Sequence, residues 1–169
     1  MKDLVVYYSR TGKTEKAARR IAEKLGADLR ELREKVSRKG FLGWLKAGFD
    51  ARKGVQSELV NPDYSLSGYD RIVLCEPLWA SSTVPALNTF LAHADFRGKQ
   101  FHLVVVKGGS DASVLTGKQS AELKERGATV LSTLDVRAGM WKDAKLEAQM
   151  LEQVDAWAAG LSQPTTGLP

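Results

Sequence analysis

Cysteine is almost absent. Cys75 stands alone in 169 residues, which excludes an internal disulfide. Histidine is nearly as scarce: His93 and His102 are the only two, and they lack the paired spacing of a zinc site, so no structural metal is expected. Long apolar runs are missing too, and no stretch reaches the roughly 20 residues that a spanning helix requires. Lys2 and Asp3 lead straight into a short apolar run that stops at Ser9, which is not the pattern of a secretory leader. The expectation is a cytoplasmic protein without a membrane span.

What is present fits one compact domain, since 43% of the residues are hydrophobic and 27% charged. We expect it over residues 1–160. The tail Leu161 to Pro169, with two prolines, two threonines and a glycine, reads as loose. Nearly continuous apolar runs at Leu4 to Tyr8, Arg71 to Cys75, Phe101 to Val106 and Thr129 to Val136 predict strands buried on both faces. A weaker strand is predicted over Ala27 to Leu32. Helical spacing lies between them, over Thr14 to Leu25, Val84 to Ala92, Val114 to Arg126 and Lys142 to Ala159. Gly26 and Gly127 are suited to close two of these helices. Such alternation implies an α/β fold in three layers, a doubly wound five-stranded parallel sheet with strand order 2-1-3-4-5.

The segment Ser9-Arg10-Thr11-Gly12-Lys13-Thr14 carries the chemistry. It sits where the first strand hands over to the first helix, so three hydroxyls meet the unpaired amides and the positive end of the helix dipole. That is an anion cradle. Gly12-Lys13-Thr14 matches the end of a P-loop, G-x-x-x-x-G-K-[ST], but Tyr7 occupies the position of its first glycine. A nucleotide triphosphatase is therefore disfavoured, and a single monophosphate suits the short loop better. The plainer alternative is an N-capped helix, which would need only one of the hydroxyls.

These residues resemble the flavodoxin family, whose phosphate loop reads [ST]-x-T-G-x-T and holds the phosphate of FMN. Pro77, Leu78, Trp79, Ala80, Ser81 and Ser82 are similar to the family's loop after the third strand. Gly108, Gly109 and Ser110 are similar to the loop after the fourth. The resemblance implies FMN as cofactor and those loops, with the cradle, as its binding residues; no catalytic residue is implied. The function implied is a redox protein carrying electrons between partners. The alternative is an NAD(P)H-dependent FMN reductase acting on quinones or similar acceptors, and a flavin-free binding module ranks last. In an open parallel sheet all three loops meet at the crevice beyond strands one and three, where Trp79 offers a flat face for stacking.

Departures from the family pattern are informative. Glu76 stands where the family usually has glycine; its carboxylate would repel a reduced flavin if it faced one, or would turn to solvent. The loop after the fourth strand lacks the family's stacking tyrosine, and Trp141 is a candidate cover with packing as its other role. Charge is the clearest departure. Arg33 to Lys53 holds seven basic residues (Arg33, Lys35, Arg38, Lys39, Lys46, Arg52, Lys53) against Glu34 and Asp50, an excess equal to the net +5 of the whole chain. Phe41, Trp44, Leu45 and Phe49 lie among them, as on a short amphipathic helix. The expected partners at this segment are an acidic redox protein or the phosphates of NAD(P)H, with an anionic membrane surface or nucleic acid as a third, less supported reading, beside the plainer one of a solvated face. No specific nucleic acid is expected, and the oligomeric state is left open.

Overall fold

The computed structural model describes residues 2–36, 48–139 and 143–162. Five strands, β1 (Asp3–Tyr7), β2 (Asp28–Glu31), β3 (Arg71–Pro77), β4 (Gln100–Lys107) and β5 (Thr129–Arg137), form one all-parallel sheet in the order β2-β1-β3-β4-β5. Five helical segments accompany them among the described residues, four in the connections and one after β5: α1 (Lys13–Leu25), α2 (residues 48–52), α3 (Pro85–His93), α4 (Ser113–Glu125) and α5 (Ala144–Ser162). This is the expected doubly wound fold. Its crevice opens between the ends of β1 and β3, which pair from Asp3 opposite Arg71 to Tyr7 opposite Cys75.

Alternate strand residues divide the core in two, because successive side chains of a strand face opposite sides of the sheet. Val5, Tyr7, Val73, Cys75, Val104 and Val106 pack against Ala17, Ala18 and Ile21 of α1 and Met150 and Val154 of α5. On the other face Leu4, Val6, Ile72, Leu74, Phe101 and Leu103 pack against Leu87, Phe90 and Leu91 of α3. The α1–α5 layer is also tied by Arg20, whose Nε and Nη2 donate to Asp155 at 2.6 and 2.8 Å. At the opposite end of the sheet Arg71 joins Asp3 of β1 and donates to the Leu161 carbonyl at 3.2 Å, holding the end of α5.

Several expectations change. β5 is an edge strand, not one buried on both faces: Thr129, Leu131, Thr133, Asp135 and Arg137 alternate outward, and Leu131 is 47% exposed. α5 runs to Ser162, past Ala159 where its helical spacing was expected to end, and residues 163–169 lie outside the described residues. The link from β2 to β3 holds more than a crossover helix. Besides α2 it contains an antiparallel bridge of Glu34 to Leu59, closed by Lys35 N–H to the Glu58 carbonyl and Val60 N–H to the Arg33 carbonyl at 2.9 and 2.8 Å. Arg38, Lys39, Phe41, Trp44, Leu45, Lys46 and Trp141 lie outside the described residues.

Candidate functional site

The cradle forms because β1 stops at Tyr7 and α1 cannot begin before the chain has turned. Gly12 makes that turn with φ +85°, a conformation that L side chains rarely adopt. Its N–H donates to the Ser9 hydroxyl at 3.1 Å, so Ser9 shapes the loop from within. The first bond of the helix runs from Lys16 N–H to the Gly12 carbonyl at 3.0 Å, and the amides ahead of it have no intrahelical acceptor. Thr11 is exposed above this amide cluster and Thr14 is buried beneath it. Arg10 is half-buried on the rim. The Lys13 ammonium reaches elsewhere, donating to the carbonyls of Ala138 and Gly139 at 2.9 and 2.7 Å, so its contribution to an anion is its backbone amide and its nearby charge.

The loop after β3 is anchored and tightly turned. Leu78 N–H donates to the Val106 carbonyl of β4 at 3.0 Å, and Ser82 N–H closes on the Trp79 carbonyl at 3.0 Å. The two residues inside that closure, Ala80 and Ser81, hold φ of +49° and +56°. Both central residues at positive φ make a turn of the I′ kind, which usually selects glycine or asparagine. Trp79 is half-buried and meets Tyr8 edge to face at 5.4 Å. Tyr8 in turn donates to Glu34 at 2.7 Å. The indole thus meets the residue that follows β1, and Pro77 is the last residue of β3. After β4, Gly108 is held by Arg137, whose Nε donates to its carbonyl at 3.2 Å, while Gly109 and Ser110 are exposed. The Asp111 carboxylate accepts Ser113 N–H at 3.1 Å and so starts α4.

All three loops leave the carboxyl ends of adjacent strands, and the sheet order brings them to one edge. The arrangement fits a phosphate with a flat ring beyond it. Nothing lies within 4 Å of where a Cβ on Gly12 would stand, so an anion can approach the amides directly. A separate hollow of about 440 Å³ lies along α1 and α5, lined by Lys16, Arg19, Arg20, Glu23 and Leu151. Its three cations are already paired with Glu147, Glu15 and Asp155.

Glu76 takes neither orientation expected for it. It is 1% exposed, beneath the turn, with Oε2 accepting Val84 N–H at 2.9 Å and Oε1 meeting the Gln119 amide. Burial pushes its carboxyl up to about 8, against the pull of those two donors. Gln119 carried no signal in the sequence. Its distance from Glu76 along the chain, 43 residues, leaves no local pattern to read.

The family model of the flavodoxins matches residues 2–131. The chain belongs to the flavodoxin family. No curated protein sequence matches it. Among solved structures it is similar to a candidate flavoprotein from Bacteroides uniformis, with a TM-score of 0.78 and 22% identity over 94% of this chain and 97% of that one. A flavoprotein from Lactobacillus acidophilus in complex with FMN gives 0.65 and 21%, over 79% and 92%. Oxidised flavodoxin 2 from Bacillus cereus gives 0.61 and 20%, over 96% and 98%. FMN is the cofactor that membership assigns, and the cradle fits its phosphate.

Proposed function

We propose that this chain is an FMN protein that carries electrons between partners. Bound FMN would supply reversible one- and two-electron redox chemistry, and the chain's own task is to hold and tune it. Thr11, Thr14 and the amides at the start of α1 would hold the phosphate, while the turn 79–82 and Gly108 to Ser110 would flank the ring. The observation that carries the carrier reading is what these flanking loops are made of. Residues 78–84 and 108–110 contain no titratable side chain, so these two stretches themselves present no acid or base to a bound substrate. Backbone groups and Trp79 are suited to tuning a potential instead.

A second reading, reduction by NAD(P)H, is favoured by one feature: Gly109, Ser110 and Asp111 are exposed and carry no aromatic ring, leaving room beside the site. Stopped-flow reduction of the FMN-loaded protein separates the two. A carrier is reduced slowly by NADPH or NADH alone and quickly when a flavin reductase is added. Fast reduction by either nucleotide alone overturns the carrier reading and establishes the reductase.

A further inference from the structure

A carboxyl group buried at the end of a central strand is costly unless its partners are fixed, and at Glu76 they are. Its two oxygens join three elements. Oε2 takes the Val84 amide at the entry of α3, and Oε1 meets Gln119 of α4, whose amide lies 3.1 Å from the Thr83 hydroxyl as well. The turn 79–82 therefore hangs between two anchors, Leu78 on β4 and the Thr83–Val84 pair on Glu76 and Gln119. Ala80 and Ser81 sit between them at positive φ without glycine, and strain of that kind persists only where its surroundings over-determine it.

We propose that Glu76 and Gln119 are the positioning pair of this turn, and that the charge on the Glu76 carboxyl sets how firmly the turn is held and so how tightly FMN binds. The proposal rests on the FMN reading above. An ionised carboxyl accepts both Val84 N–H and the Gln119 NH2, in charge-assisted bonds about twice as strong as neutral ones. A protonated carboxyl has one donor oxygen. Gln119 answers it by turning its amide, so that its carbonyl accepts from Glu76; Thr83 then changes from acceptor to donor at the same atom. Protonation is thereby passed to the end of the turn.

The surroundings let the carboxyl titrate alone. Val105, opposite it on β4, is apolar, and the body of α3 ahead of His93 carries no charged residue. Cys75 beside it is buried, and burial pushes its thiol further up. Gln119 and Thr83 line a cleft of about 210 Å³ that also takes in Arg52 of α2 and Lys118 and Glu122 of α4, all three exposed. That cleft supplies a path for proton exchange with solvent. Burial raises the carboxyl to about 8.

The test is FMN affinity from pH 6 to 9.5 for the wild type, Glu76→Gln and Gln119→Met, by quenching of flavin fluorescence. Wild-type affinity is expected to rise about three- to tenfold through one ionisation, as the turn becomes better organised. Glu76→Gln should stay at the low-pH value throughout. Gln119→Met keeps the carboxyl but removes a donor to its ionised form, so its midpoint should move up. The Val84 amide resonance of the apoprotein is followed in the same series and needs no flavin: it should titrate in the wild type and stay fixed in Glu76→Gln. A titrating Val84 supports the pair even if no flavin binds, which would sink the FMN reading alone. A static Val84 in the wild type overturns the proposal, as does a wild-type affinity that falls, stays flat or runs parallel to Glu76→Gln.

Discussion

The Ser9 hydroxyl is already engaged, since it accepts the Gly12 amide that shapes the loop. Thr11 and Thr14 are the hydroxyls left for a ligand at the start of α1. Each bond from such a hydroxyl to a phosphate is worth roughly 1.5 to 3 kcal/mol. A Thr11→Val, Thr14→Val double variant is therefore expected to weaken FMN by about a hundredfold or more while leaving riboflavin, which has no phosphate, nearly unchanged. Calorimetric titration with both ligands checks it; equal losses would mean that the phosphate lies elsewhere. This part of the site was legible because the cradle is local, six consecutive residues at a strand-to-helix junction. Glu76 was expected either beside the flavin or in solvent, because the sequence shows only its neighbours Pro77 to Trp79. Only the strand's alternation turns it under the loop, where a residue of α4 meets it.

At the scale of elements, the central strands were legible because burial on both faces leaves continuous apolar runs, such as Leu4 to Tyr8. β5 looked the same in sequence, yet as an edge strand it leaves Leu131 half in solvent. The bridge of Glu34 to Leu59 was not legible, since it pairs single residues across a long connection. β4 also hides a polar residue in its apolar run. His102 is 2% exposed, with Nδ1 at 2.7 Å from the Ser132 hydroxyl of β5, its ring edge to face with Trp157 of α5, and its buried Nε2 unpartnered among the described residues. Burial, with Arg71 nearby, brings its pKa down to about 4. The folded protein holds this ring neutral while the unfolded chain protonates near 6.5. The stability it contributes is complete above that value and is lost as pH falls toward 4, up to about 3 kcal/mol. Glu76 runs the other way: its raised pKa favours the fold at low pH and costs stability as pH rises through about 8. The clean measurement is therefore a difference. His102→Leu is expected to flatten the fall in urea midpoint between pH 7 and 4.5, and identical slopes in the two proteins would remove His102 as the cause.

For the molecule as a whole, charge is the distinguishing property, because the excess of five positive charges equals that of the segment from Arg33 to Lys53. Part of that segment is offset locally. Arg33 lies 2.7 Å from Glu31, Lys35 is 3.6 Å from Glu58, and Lys53 lies over the Phe49 ring at 4.4 Å. Exposed pairs of this kind contribute little to stability, and Arg38, Lys39, Lys46 and Arg52 add to the segment's charge by composition. Arg52 also lines the cleft beside the turn 79–82, which puts the segment's end next to the proposed flavin loops. In an electron carrier a basic segment of this kind would favour an acidic partner, whose approach it would speed without adding affinity in proportion. Reversing Arg38, Lys39 and Lys46 to glutamate is expected to slow electron exchange with an acidic reductase by about tenfold or more, through the association step, with FMN affinity and thermal midpoint unchanged. Fields of exposed charges reach about 8 to 10 Å at ordinary salt, so the wild-type rate should fall as ionic strength rises and the variant's should not. Stopped-flow mixing at two salt concentrations measures both effects. They stand or fall together: a triple reversal that leaves the rate and its salt dependence as they were makes the segment a solvated face, and the partner must then dock at the flavin edge on shape alone.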